Sequence, residues 1–226
     1  MRVLVIAAHP DDEVLGCGAT MGRLVREGND VRIAILAEGL TSRSRVREDT
    51  DTRELIGLRA QAKQAADLLG IKEVTFYDLP DNRLDTVPLL DVVKIVEQLI
   101  ARVQPARIYT HHAGDLNMDH VVVSRAVMIA TRPVADCRVK EVYQFEVASS
   151  TEWAFQQFAP SFRPNVFMDI AETLEAKVNA MSCYETEARI FPHPRSPEAL
   201  RAIATRWGTV AGCKAAEAFQ LVRALV

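Results

Sequence analysis

The chain has 226 residues, of which 49% are hydrophobic and 25% are charged, and its formal net charge is −3. These values are typical of a globular protein, and the length fits one domain over residues 1–226 with a sizeable buried core. The slight excess of acidic residues argues against a nucleic-acid partner. Since there is neither a secretory-type start nor a run of 18 apolar residues, we expect no membrane partner and a cytoplasmic location.

The first predicted element is a strand over Val3–Ala7, followed directly by the segment Ala8-His9-Pro10-Asp11-Asp12-Glu13. An uninterrupted apolar run predicts a strand buried on both faces, so the polar groups lie at its carboxyl end, where open α/β sheets bind ligands. One imidazole and three carboxylates in five positions favour a metal site, because a cation offsets their mutual repulsion. The alternative is a helix N-cap by Asp11 or Asp12, which explains only one of the acids.

The helix predicted over Val14–Glu27 contains three glycines, Gly16, Gly18 and Gly22. Their spacing, G-x-G-x-x-x-G, imitates a dinucleotide-binding fingerprint without matching it, and the acids before them would repel a pyrophosphate. We therefore expect no nicotinamide cofactor and attribute the glycines to close packing of the helix on the sheet.

The chain then alternates predicted strands and helices over its first 130 residues, which predicts a parallel sheet with right-handed crossovers. Residues 38–52 are polar and charged, and they form either a solvated loop or a mobile lid beside the site. The turn-rich segment 78–83 follows a strand on the same presumed ligand edge. The predicted strands are Val31–Leu36, Glu73–Tyr77 and Arg107–Thr110, and the predicted helices are Arg53–Leu69 and Pro88–Val103.

A second polar segment, residues 110–120, follows the strand at 107–110 and precedes a helical pattern. It contains three of the five histidines of the chain, His111, His112 and His120. A mononuclear hydrolytic zinc site uses three protein ligands and keeps an open position for water. The first segment supplies at most two ligands comfortably, His9 and Asp12, so the third must come from elsewhere. Two strand ends on one sheet edge can meet.

Beyond the second segment, His193 and Arg195 lie in a proline-rich loop and are either merely solvated or close over the polar end of a substrate. Glu185 and Glu187 are expected at the surface. The predicted elements of this part are strands at Lys140–Val147 and Asn165–Ile170 and helices at Ala171–Ala188 and from Pro197 onward.

The two polar segments, AHPDDE at 8–13 and HHAGDLNMDH at 111–120, resemble motifs of the LmbE-like, or PIG-L, family of zinc-dependent deacetylases. The resemblance covers nearly the whole chain, since Glu146–Trp153, Pro192–Ser196 and Ala216–Phe219 also look familial. It implies an α/β class, Rossmann-like fold, with a parallel sheet flanked by helices and a modified C-terminal half. It also implies that the protein self-associates into a homo-oligomer.

The resemblance further implies a Zn²⁺ ion, or another divalent ion, held by His9, Asp12 and His120, with Asp11 as the general base. The expected reaction is removal of an N-acetyl group from an amino sugar or a sugar conjugate, such as a nucleotide sugar or a glycoside, by attack of a zinc-bound water. One alternative is an amidase that cleaves a larger acyl group from a thiol conjugate or an antibiotic. Another is a metal-dependent sugar-binding protein without turnover, against which the presence of Asp11 argues.

The second segment departs from the family in one position. Many relatives have His-Pro-Asp-His there, and the first of those histidines is held to stabilise the oxyanion, whereas this chain has Asn117. Asn117 can donate a hydrogen bond in that role, or the role has moved to one of three histidines, His111, His112 or His193.

Asp119, next to His120, is expected to orient a ligand or to cap the following helix. Arg59 either matches an arginine with which relatives hold substrate or is an ordinary exposed helical residue. The expected substrate contacts are Arg59, Asp81, Asn82, Asp115, His193 and Arg195.

Overall fold

The protein is described by a computed structural model that covers residues 1–43, 51–134 and 137–226. The centre of the segment expected to form a loop or a lid, residues 44–50, lies outside the described residues. The strands are β1 (Arg2–Ala7), β2 (Asp30–Ala37), β3 (Glu73–Leu79), β4 (Arg107–His111), β5 (Glu141–Phe145), β6 (Val166–Asp169) and β7 (Ala216–Ala224). The helices are α1 (Asp12–Arg26), α2 (Thr52–Leu68), α3 (Leu89–Val103), α4 (Met118–Ala130), α5 (Leu174–Ser182) and α6 (Pro197–Ala211).

The described strands form one seven-stranded sheet with the order β3-β2-β1-β4-β5-β7-β6. Strands β1 to β5 pair in parallel, and β7 pairs antiparallel with β5 and β6. Helices α1, α2 and α5 pack on one face, and α3 and α4 pack on the other. The predicted fold class, a parallel sheet flanked by helices with a modified C-terminal half, is therefore confirmed. Within the described ranges, every helix is too short or too polar to cross a bilayer.

The strand that carries the first polar segment is the most protected part of the sheet. Residues Val3–Ala7 are each at most 1% exposed, as expected of a strand covered on both faces. β1 has β2 on one edge and β4 on the other, so the strand order reverses beside it. Its carboxyl end therefore opens into the crevice between two helices that leave the sheet in opposite directions.

The prediction for the C-terminal residues is wrong in one respect. The helix predicted from Pro197 onward ends at Ala211, and residues Ala216–Ala224 form β7. Gly212 ends the helix with a φ of 79°, a conformation that costs little only without a Cβ. Strands β5 and β6 then supply backbone partners on both edges of β7, a tertiary contact that the local pattern does not encode. The helix predicted at Ala171–Ala188 is also shorter, spanning only α5.

Helix α1 is kinked at Cys17, whose φ of −149° and ψ of 25° are not helical. Beyond the kink, the amides of Ala19 and Thr20 donate to the carboxylate of Glu217 on β7, at 3.2 and 2.7 Å. Lys177 on α5 donates to the same carboxylate at 2.6 Å and to a carbonyl of α1 at 2.7 Å. The buried charges of Glu217 and Lys177 are thus paired and hydrogen-bonded, and they tie the first helix to the last strand.

The glycines of α1 serve close packing, as expected. A Cβ at Gly16 would overlap the ring of Phe145, which ends β5 and is completely buried. The variant Gly16→Ala is expected to lower the free energy of unfolding by about 1–3 kcal/mol, because extra atoms in a packed core force neighbours out of place. Urea unfolding measures this change.

The matched control is Gly57→Ala on α2, where an added Cβ meets nothing within 4 Å. This variant should raise the free energy of unfolding by about 0.5–1 kcal/mol, because alanine favours the helix over glycine. Equal effects of the two substitutions would contradict the packing role of Gly16.

Candidate active site

The candidate site lies where the strand order reverses, between the carboxyl ends of β1 and β4. His9 and Asp11 follow β1, and Asp12 is the first residue of α1. His120 lies in the first turn of α4, which follows β4 after a short loop. The two polar segments singled out from the sequence therefore meet at a position where open α/β sheets bind ligands.

Two histidines converge on one carboxylate oxygen, Oδ2 of Asp12. Nδ1 of His9 and Nε2 of His120 each lie 3.2 Å from this oxygen. Two bonds of about 2.1 Å that meet at a tetrahedral angle place their donor atoms about 3.4 Å apart. The separations around Asp12 therefore suit three donors that share one ion.

Each of these histidines has a second carboxylate behind it. Nε2 of His9 donates to Asp119 at 2.9 Å, and Asp119 also accepts a backbone amide at 2.9 Å. Nδ1 of His120 lies 3.1 Å from Asp115, which accepts two hydroxyl groups as well. Such carboxylates fix the tautomer and the ring orientation of metal-binding histidines. Asp115 and Asp119 thus lie behind the ligands, whereas Asp115 was predicted to contact substrate.

The charges of His9, Asp12, His120 and the two carboxylates behind the histidines fit a divalent cation. Burial lowers the pKa of His120, but Asp12 and Asp115 outweigh burial and raise this pKa to about 9. Burial raises the pKa of Asp115, but His120 and the two hydroxyl donors lower it to about 2. In the part of the chain that the structure describes, both ring nitrogens of His120 are buried and have carboxylate oxygens at 3.1 and 3.2 Å, but neither makes a well-aligned hydrogen bond. A divalent cation satisfies such a buried donor set better than a proton does.

A second set of possible ligands consists of His9, Asp81 and Asp119. It uses Nε2 of His9, which lies 3.3 Å from Asp81 and 2.9 Å from Asp119. Hydrogen bonds within the protein account for these carboxylates, since Asp81 also accepts the amide and the hydroxyl of Ser42 at 3.0 and 2.5 Å. The set His9, Asp12 and His120 is therefore the one that could hold an ion, and Asp119 would orient His9.

Asp11 lies beside the ligand group and is not part of it. Asp11 is 3% exposed, and its Oδ2 accepts a hydrogen bond from Nη1 of Arg195 at 2.6 Å. Burial raises the pKa of Asp11 well above its usual range, and the guanidinium of Arg195 opposes this shift. Arg195 is itself held by Ser149 at 2.8 Å and by Glu187 at 3.3 Å. Asp11 is thus a buried, oriented carboxylate that can accept a proton next to the ion.

A polar cavity of about 160 Å³ opens above these groups. Asn117 forms part of its wall: its Oδ1 accepts the amide of Asp119, and its Nδ2 donates to Asn82, both at 2.9 Å. Asn117 therefore caps α4 and also presents an amide group to the cavity. The lining residues are His9, Pro10, Asp11, Asp12, Gly39, Ser42, Asp81, Asn82, Asn117, His120, Ser149, Ser150, Glu187 and Arg195.

Besides Asp115, two more residues that were predicted to contact substrate do not line this cavity. Arg59 on α2 pairs with Asp78 and lies over the ring of Phe76. His193 packs edge-on against Trp153, with 5.5 Å between ring centroids. Their predicted contacts with substrate stay predictions.

The alternative oxyanion donors in the second segment are also outside the cavity. The ring of His111 stacks on His120 at 3.9 Å, and its Nε2 accepts the amide of Ala8 at 2.8 Å. Nε2 of His112 donates to the carbonyl of Pro160 at 2.8 Å. Both histidines are completely buried, so Asn117 is the candidate donor that faces the cavity.

Residues 4–131, more than half of the chain, match the family described as PIG-L, GlcNAc-PI de-N-acetylase. The chain belongs to the PIG-L family. The matching region includes both polar segments and every residue of the metal group. The C-terminal residues 132–226, which supply Arg195, Glu187 and β7 to the structure, lie beyond it.

Two relatives are similar to three quarters or more of the chain. The uncharacterized deacetylase YaiS of Escherichia coli K12 is 28% identical over 75% of this chain and 82% of that protein. The probable N-acetyl-α-D-glucosaminyl L-malate deacetylase 2 of Bacillus cereus is 26% identical over 84% of this chain and 86% of that protein. Both of these relatives are named as deacetylases.

A similar fold also occurs in an enzyme that is named as a hydratase and not as a deacetylase. GalB, the 4-carboxy-2-hydroxymuconate hydratase of Pseudomonas putida KT2440, has a TM-score of 0.76 and 21% identity. The comparison covers 100% of this chain and 97% of that structure. The fold therefore does not decide the reaction, and the arrangement of side chains at the site must do so.

Several residues at this PIG-L site were not predicted from the sequence. Glu187, expected at the surface, is 6% exposed and contacts Arg195, so that prediction is wrong. Ser149 and Ser150 lie in a segment that looked familial, but neither was singled out as a site residue. Glu187 had no local signal, because its neighbours at the site come from other parts of the chain.

A larger cavity of about 380 Å³ lies on the other side of the loop that carries Arg195. Its walls come mainly from apolar side chains of α6, β7 and the loop, including Ile203, Trp207 and Pro194. None of the assigned metal ligands faces it. The smaller cavity is therefore the candidate active site, because it holds the titratable groups that hydrolysis requires.

Proposed function

We propose that this chain is a divalent-metal-dependent hydrolase that removes the N-acetyl group of an amino sugar or of a conjugate that contains one. The observation that carries the proposal is the placement of Asp11. This carboxylate lines the same cavity as His9, Asp12 and His120 without being needed as a ligand. A site that only binds metal does not require such a group, whereas hydrolysis needs a base next to the ion.

A divalent ion, when bound, polarises the amide carbonyl and lowers the pKa of water to about 7. Asp11 accepts the proton of the attacking water at its carboxylate and passes it to the nitrogen that leaves. The C–N bond breaks, and the products are acetate and a free amine. Arg195 fixes the position of the Asp11 carboxylate. Asn117 supplies an amide N–H on the cavity wall for the oxygen that becomes negatively charged.

The substrate class is supported by the size and polarity of the cavity and by the relatives. About 160 Å³ accommodates an acetamido group with the adjacent part of a sugar ring, and Asp81, Asn82 and Ser42 offer polar contacts to hydroxyl groups. The Bacillus cereus relative is named for an N-acetylglucosaminyl conjugate.

The test is acetate release by the metal-loaded protein from N-acetylglucosamine, N-acetylated nucleotide sugars and N-acetylated glycosides. Acetate release from at least one of them is expected. If only substrates with longer acyl groups are cleaved, the protein is instead an amidase that removes a larger acyl group, for example from a thiol conjugate or an antibiotic. Binding of the sugars without any turnover would overturn the proposal in favour of a binding protein.

The variant Arg195→Ala is expected to move the acid limb of the pH profile of kcat/KM to higher pH. The guanidinium favours the ionised form of Asp11, so its loss raises the pKa of the base. The base then loses its proton only at higher pH, and activity at low pH falls most. Arg195→Lys keeps the positive charge and should shift the limb less. An unchanged acid limb in Arg195→Ala would show that Asp11 is not the base whose ionisation sets this limb.

A further inference from the structure

Asp11 has a backbone conformation that residues with a side chain rarely adopt. Its φ is 106° and its ψ is −31°. Such a conformation is strained and persists only where the surrounding structure holds it in place. The carbonyl of Asp11 accepts the amides of Val14 and Leu15 at 3.0 and 2.9 Å, which fixes one side of the residue to α1.

The other side of Asp11 is held by a buried pair of side chains. The amide of Asp11 donates to Oε2 of Glu13 at 3.1 Å. The second oxygen of Glu13, Oε1, accepts the hydroxyl of Tyr184. Glu13 is 1% exposed and Tyr184 is 0% exposed, so each contact is shielded from water. A chain of two hydrogen bonds therefore runs from Tyr184 to the backbone of Asp11.

Tyr184 belongs to a turn that is linked by hydrogen bonds to both the backbone amide and the carboxylate of Asp11. The carbonyl of Tyr184 accepts the amide of Glu187 at 2.9 Å, which closes this turn after α5. Glu187 contacts Arg195, and Arg195 contacts the carboxylate of Asp11. One turn in the C-terminal part of the chain thus reaches the backbone of Asp11 through Glu13 and its carboxylate through Arg195.

We infer that Tyr184 is a positioning residue for Asp11, which it holds in the productive conformation through Glu13. The inference rests on the proposed function, in which Asp11 moves the proton. Tyr184 does not line the cavity, and its hydroxyl lies beside Glu13 and close to the backbone of Asp11, so its effect on kcat passes through these two residues.

The first test is the variant Tyr184→Phe, which removes only the hydroxyl. Metal content is expected to stay that of the wild type, and KM for the acetylated sugar is expected to stay the same. The expected fall in kcat is about 10- to 100-fold, because a displacement of about 1 Å of a reacting group can cost about 10²-fold. The matched control is Tyr109→Phe, which removes the hydroxyl of another buried tyrosine, one that contacts Arg107 and does not line the cavity. It should leave kcat unchanged.

The decisive measurement is a double-mutant cycle with Asp11. In the background of Asp11→Asn, Tyr184→Phe should cause no further loss of kcat, because the group that it positions no longer moves the proton. A merely structural role would lower kcat by the same factor in both backgrounds and would overturn the inference.

The variant Glu13→Gln tests the same chain of contacts if Tyr184→Phe folds poorly. The two hydrogen bonds go to different oxygens of Glu13, and glutamine has an NH₂ group in place of one of them, so one of the bonds is lost and the loss of kcat should at least equal that of Tyr184→Phe. A crystal structure of either variant is expected to show Asp11 outside its φ near 106°. An unchanged Asp11 overturns the inference even without an assay. A wild type that releases no acetate overturns the proposed function, whereas an active wild type with an equally active Tyr184→Phe overturns only the inference.

Discussion

The variant Asp11→Asn is expected to keep its metal and to lose kcat by about 10²–10⁴-fold or more, the usual contribution of a general acid–base group. Asparagine has nearly the same shape but cannot accept the proton of the attacking water. The metal remains because His9, Asp12 and His120 supply the donor atoms without Asp11. Metal content by mass spectrometry and single-substrate kinetics measure the two properties separately.

Two further variants sharpen this result. Asp12→Asn removes the oxygen on which both histidines converge, so it should lose the metal and the activity together. Asp91→Asn changes an exposed carboxylate on α3 that does not line the cavity, and it should alter neither property. If Asp11→Asn loses the metal while Asp12→Asn keeps it, the roles of the two neighbouring acids are the reverse of those assigned.

The variant His120→Ala is expected to weaken metal binding more than about 100-fold, because loss of a partner behind a ligand already costs about 10- to 100-fold. In the proposed site, His120 of α4 and Asp12 of α1 would bind the same ion, so loss of the imidazole removes the donor that α4 supplies. Titration of the metal-free protein with Zn²⁺ in a calorimeter measures the affinity. Acetate release by the variant should fall with its metal content.

Two control variants accompany this experiment: one alters the carboxylate next to His120, and the other alters a histidine that does not line the cavity. Asp115→Asn leaves His120 in place but alters its partner at Nδ1, so its metal affinity should lie between those of the wild type and His120→Ala. His193→Ala removes a histidine that packs on Trp153 and should keep the metal. A metal-loaded structure in which His120 points away from His9 would contradict the assignment.

Much of the fold could be predicted because its signals are local. Val3–Ala7 is an uninterrupted apolar run, and its burial on both faces follows from that run alone. The alternation of strands and helices over the first 130 residues then specifies a parallel sheet. β7 could not be predicted in the same way, because what makes residues Ala216–Ala224 a strand is their pairing with β5 and β6.

The residues of the candidate site also differ in whether a local sequence signal indicates them. His9, Asp12 and His120 could be singled out because they follow two strands that end at one sheet edge. Tyr184 and Glu187 reach the site only through the packing of α5 and the turn after it, and their sequence context has no spacing that indicates this. Glu187 was consequently expected in solvent, although it contacts Arg195 in the structure.

Glu217 on β7 holds α1 just after its kink, so truncation of the chain before β7 removes a support of this helix. A fragment that ends at residue 131 contains both metal-binding segments but lacks Lys177 and Glu217. In such a fragment the amides of Ala19 and Thr20 lose their acceptor, and the kink that follows the ligand Asp12 loses its support. We therefore expect that residues 1–131 alone do not hold α1 and the proposed ligands in place.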